Sequence, residues 1–132
     1  MRDEERLVGR WSLQDFVLTL EDGSTVEPLG ARPFGLLIYT PTWMSAHLVP
    51  EDGEQSFFSY CGPWRIVDGL LHHDVRSSDR PGWIGKVLTR GLEWEDALLA
   101  LTARGVQHGD QKGIGRLRWE RQEDLHIFDQ TG

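Results

Sequence analysis

Apolar and polar residues alternate with period two along most of the chain, the signature of strands with one buried face. The first such stretch begins at Trp11 and runs to Leu20 through Leu13, Phe16 and Leu18. Its alternation slips near Asp15, which predicts a β-bulge. Asp22-Gly23 is a hairpin signal and residues 24–27 a short return strand. Residues 28–34, with two prolines and a glycine, read as loop. Residues 35–40 and 43–49 are two clean strands around Pro41-Thr42, with Met44, Ala46 and Leu48 on one face. Residues 57–67 form a long strand with a bend at Gly62-Pro63, because proline removes a ladder donor. After the Asp68-Gly69 turn come strands 70–77, 83–92, 98–103, 114–121 and 125–128. A corner at 79–82, an acidic turn at 93–96 and a Gly-rich loop at 104–113 connect them. Before all of this, Asp3, Glu4 and Glu5 favour a short helical turn over residues 2–8, ended by Gly9.

The pattern predicts an all-β chain of about eight to ten short strands in one domain over residues 1–132. One antiparallel sheet of that size must curl or close to hide its edges. Sequential hairpins favour an up-and-down barrel, and a barrel near eight strands can enclose one small ligand.

Charge narrows the function classes. The 132 residues carry 21 Asp and Glu against 14 Lys and Arg, a net charge of −7. Nucleic acid and acidic membrane surfaces are therefore not expected as partners. The single cysteine, Cys61, forms no internal disulfide and reads as a small buried hydrophobe. The charged N-terminus and the lack of a long apolar run predict a cytoplasmic protein.

Chemistry concentrates between residues 60 and 90. In strand 70–77, Leu71, His73, Val75 and Ser77 share one face, and His72, Asp74 and Arg76 the other. The charged set faces solvent, so His73 points inward. Two readings stay open: a cavity-facing acid/base or ligand donor, and a core histidine bonded to a neighbouring strand or a tyrosine hydroxyl. Burial favours its neutral form. Arg90, among apolar neighbours, is either an anion or carbonyl clamp for a ligand or a plug packed on a tryptophan. Tyr39, Met44, Tyr60 and Trp83 are candidate cavity walls. Trp43 and Trp64 are placed at a barrel mouth or surface, and Trp94, between two glutamates, on an exposed turn. Adjacent strand positions face opposite ways, so His72, His73 and Asp74 cannot share one metal ion, and no metal site is predicted. The glycines of residues 109–115 lack a following helix and do not make a nucleotide loop.

The ordered set Leu7-Val-Gly-Arg-Trp11, Pro28-Leu-Gly30, residues 35–40, Met44-Ser45, Tyr60-Cys-Gly62, His73, residues 81–85, Arg90 and residues 117–121 resembles the bacterial and fungal lipocalin-like domain family. The resemblance implies a calycin-type barrel with a central cavity and no defined reaction. In that pattern a histidine stands ten residues before the corner tryptophan and an arginine seven after it, which selects His73 and Arg90. Lipocalins also pair a Gly-x-Trp at the first strand with a late arginine. Gly9-Arg10-Trp11 matches, with Arg90, Arg118 or Arg121 as the partner.

The expectation is a barrel that binds a small, mostly apolar molecule, touching it with Tyr39, Met44, Tyr60, His73, Trp83 and Arg90. Trp11, Arg90 and Arg121 would close one end. An alternative is a cofactor-free isomerase, cyclase or hydro-lyase with His73 as acid/base and Tyr60 as a second catalytic group. A further one is an interaction module with a filled barrel. No cofactor is expected, haem on His73 being a minor alternative. The oligomeric state, a homodimer included, stays open.

Overall fold

The computed structural model describes residues 1–52 and 58–123. A helix α1 (Asp3–Leu7) precedes ten strands: β1 (Gly9–Leu20), β2 (Thr25–Val26), β3 (Phe34–Tyr39), β4 (Trp43–Val49), β5 (Phe58–Val67), β6 (Leu70–Asp74), β7 (Ser77–Ser78), β8 (Val87–Glu95), β9 (Leu98–His108) and β10 (Gln111–Gln122). Eight of these run antiparallel in the order β1, β3, β4, β5, β6, β8, β9, β10, and β10 pairs back onto β1. The sheet therefore closes into a barrel and leaves no long free edge. The short β2 and β7 pair onto β1 and β5 outside that ring. No helix among the described residues is long and apolar enough to cross a membrane.

Inward positions follow the alternation. Trp11, Leu37, Leu71 and Leu99 are at most 1% exposed, and they join Leu7, Leu13, Tyr39, Met44 and Val75 in one core cluster. The slip in β1 is real: the register to β10 shifts between Leu13 and Asp15, and Arg118 grips Asp15 there on the outer face at 3.0 Å.

Several local expectations differ from the structure. Strand 70–77 is broken: β6 stops at Asp74 and β7 resumes at Ser77. The cause lies across the ladder at Gly62, where any Cβ would run into the Asp74 carbonyl oxygen. There β5 exchanges its partner from β7 to β6, so Gly62-Pro63 marks that exchange and β5 itself continues. Trp83 belongs to a 3-10 turn over residues 81–83 rather than to the start of a strand, and β8 begins at Val87. β8 runs on through Glu95, so the acidic turn moves to Asp96, whose φ is +55°. Most of the presumed loop 104–113 is β9 and β10, turning at Gly109. Trp64 is buried, with its Nε1 donating to the Thr40 carbonyl at 2.8 Å. Trp94 is half-buried on β8, packed on Trp11 at 5.9 Å, and donates to Asp3 Oδ1 at 3.0 Å. Cys61 is half-buried, opposite Ser45 and Ser77, rather than fully interior. The expected strand 125–128 lies outside the described residues.

One barrel end is sealed by the N-terminal segment. The Arg121 guanidinium stacks over Trp11 at 4.3 Å, donates to the Val8 carbonyl at 2.9 Å and also to the Arg6 carbonyl. Gly9, at φ +141°, leaves the space this guanidinium fills, since a Cβ there would collide with Arg121 Nη1.

Candidate functional site

The barrel interior holds a cavity of about 520 Å³, within the range of small-molecule sites. Its walls are mainly apolar: Phe16, Leu37, Leu48, Phe58, Trp83, Leu88, Leu101 and Leu117 among others. Exposed Arg80, Arg104 and Gln107 flank it, so it opens to solvent on that side.

Each polar group is placed by strand alternation. Tyr60 sits on β5, His73 on β6 and Arg90 on β8, and in the β6–β8 register Arg90 lies opposite inward-facing Leu71. All three line the cavity, as does Trp83, which the 3-10 turn sets against Phe58 at 4.6 Å. Tyr39 and Met44 do not line it. Both are buried in the packed core, 1% and 2% exposed.

The histidine is the polar centre. His73 is 1% exposed, and each ring nitrogen meets a tyrosine hydroxyl: Nε2 to Tyr39 Oη at 2.7 Å, and Nδ1 to Tyr60 Oη at 2.8 Å. Hydrogen-bond accounting fixes the tautomer. Among the described residues Tyr39 Oη bonds only His73 Nε2, and its burial makes an unmade O–H bond cost about 1–3 kcal/mol. Tyr39 therefore donates to Nε2, Nδ1 carries the proton, and Nδ1–H donates to Tyr60 Oη. The Tyr60 hydroxyl proton is left over, on a residue that lines the cavity.

Electrostatics keep this trio neutral. Burial, reinforced by the charges of Arg90 and His72, pushes the His73 pKa down to about 3. Burial also raises the Tyr39 hydroxyl well above its usual range, helped by Tyr60 and opposed by Arg90. Tyr60 is raised as well, and the adjacent Arg90 guanidinium partly offsets the rise. Arg90 Nη1 donates to the Thr89 carbonyl at 3.1 Å, and no carboxylate pairs with Arg90 among the described residues. The His73 Nε2 lone pair and Nδ1–H are both committed to the tyrosines, so the residues present do not fit an axial haem ligand. Among the described residues no group of three His, Cys, Asp or Glu is arranged to hold a metal ion.

Of the end-closing candidates, Arg121 lies on Trp11, Arg118 on Asp15, and Arg90 stands in the cavity wall. Arg80, Arg104, Gln107 and Trp119 are polar or indole-bearing cavity residues that sequence patterns alone do not single out. Trp119 shares the inward alternation of Leu117, a usable signal for facing inward but not for lining a cavity. Arg104 was hidden by its assignment to a loop, and Arg80 by its place in a corner.

Residues 8–56 match the family model described as lipocalin-like domain. Among solved structures, the chain is similar to a lipocalin-like protein from Bacteroides uniformis ATCC 8492, at 17% identity over 84% of this chain and 97% of that one, TM-score 0.49. It is similar to a redesigned β-barrel at 17% identity, covering 92% and 96%, TM-score 0.47. An uncharacterized protein from Bacteroides eggerthii DSM 20697 aligns at 16% identity, covering 83% and 98%, TM-score 0.45. No curated protein matches the chain.

Proposed function

We propose, for a chain whose residues 8–56 carry the lipocalin-like domain signature in a closed eight-stranded barrel, that its function is to bind a small, mostly apolar molecule inside the barrel. The observation that carries this reading is the cavity of about 520 Å³ with a mainly apolar wall. A barrel filled by its own side chains, as an interaction module requires, has no such space.

Binding is favoured over catalysis by the state of the polar groups. A general acid or base works best with a pKa near the working pH. His73 is pushed far below that range and Tyr60 is pushed up, away from it. The trio is suited to holding a fixed pattern of donors, and poorly suited to exchanging a proton at neutral pH.

The test is titration with N-phenyl-1-naphthylamine, a neutral apolar fluorophore. Saturable emission enhancement at one site per chain is expected, with quenching of Trp83 and Trp119 in the cavity wall. Absence of saturable binding by this and other apolar compounds would overturn the reading.

A further inference from the structure

Donors and cations dominate the polar groups facing the cavity, with the Gln107 amide at its mouth adding one side-chain carbonyl. Arg90 brings a guanidinium without a carboxylate partner, and Tyr60 a hydroxyl proton left over by the His73 tautomer. Trp119 lines the same cavity, but its Nε1 is buried away from that space, so the indole offers the cavity its ring and not its N–H. The His73 nitrogens are both taken.

Charge is segregated in the same sense. The chain as a whole carries −7. Yet the described residues lining the cavity include three arginines, Arg80, Arg90 and Arg104, and no Asp or Glu. An amine or other donor-rich ligand would meet like charge and unmatched donors there. A carboxylate supplies acceptors only, with the charge that Arg90 lacks.

Resting on the binding reading above, we propose that the ligand is an apolar carboxylic acid bound as its anion. Its carboxylate is held by the Arg90 guanidinium and the Tyr60 hydroxyl, and its body lies against the aliphatic and aromatic wall. The surrounding arginines draw the anion in against the repulsion of the negative chain.

The experiment is displacement of bound N-phenyl-1-naphthylamine at pH 8 by decanoate, decanol and decylammonium, which share one apolar body. Decanoate is expected to compete at least about tenfold more tightly than either of the others, the scale of one charge-assisted contact. Arg90→Gln should abolish the preference over decanol. In the wild-type protein the Arg90 guanidinium Nε–H resonance should move downfield with decanoate. If decanol or decylammonium competes as well as decanoate, or the Arg90 resonance stays put, the carboxylate proposal falls while the binding reading stands. If the fluorophore itself does not bind, it is the binding reading that fails.

Discussion

The burial of His73 makes a quantitative prediction about acid stability. Its pKa is about 3 in the folded chain against an ordinary value of 6.5. Between those values the unfolded state binds a proton that the native state refuses, so stability rises with pH across the window. It is fully present above pH 6.5 and is lost progressively as pH falls toward 3, at roughly 1.4 kcal/mol per pH unit. Between pH 7 and pH 5, before most carboxylates titrate, this one residue should remove about 2 kcal/mol. His73→Gln keeps an amide that donates and accepts but has no proton to gain in this range. Urea unfolding at pH 7 and pH 5 should show a pH-dependent loss about 2 kcal/mol smaller in the variant than in the wild type. With a typical slope for such a chain, the wild-type midpoint moves by roughly 1 M more. Equal pH dependence in the two proteins would refute the idea of a neutral, buried imidazole. So would a wild-type NMR spectrum in which the His73 ring protonates above pH 5.

The other predictions concern parts of the same framework. Tyr39→Phe leaves His73 Nε2 without its donor and should cost about 1–3 kcal/mol, read as a drop in the melting temperature. Fluorophore affinity should change little, since Tyr39 does not line the cavity. Arg121→Ala removes two carbonyl contacts and the stacking on Trp11, and should cost roughly 2–4 kcal/mol in urea unfolding. Gly62→Ala places a Cβ on the Asp74 carbonyl and should destabilise by more than about 2 kcal/mol, with the β6–β7 amides losing hydrogen-exchange protection first.

The barrel was legible in the sequence because most strands keep their alternation. β4 has its predicted bounds, and the bulge near Asp15 shows as a break in period two. Elsewhere local cues misled for definite reasons. Residues 70–77 alternate throughout, but the break at Val75-Arg76 is imposed by a close approach from Gly62 on another strand. Trp94 lies between two glutamates and so resembles an exposed turn. In fact Arg116 draws Glu95 outward at 2.7 Å while the indole packs on Trp11. Gly113 resembles a loop residue, yet it sits inside β10, where the Thr19 carbonyl leaves no room for a Cβ.

The candidate site was half legible. Alternation turned His73 inward and set Tyr60 and Arg90 among apolar positions. The trio itself joins residues 34 and 13 positions apart through the histidine, and no spacing rule links them. Nor does any pattern in the chain reveal that the Trp119 indole has no acceptor among the described residues. Such properties belong to the closed barrel, where eight strands bring their inward faces around one space.

That space is the centre of the account, and intermolecular NOEs with bound N-phenyl-1-naphthylamine test it most directly. Contacts are predicted to the methyl groups of Leu88, Leu101 and Leu117 and to the Trp119 indole, all in the cavity wall. Contacts confined to exposed side chains such as Trp43 and Ile84 would contradict it.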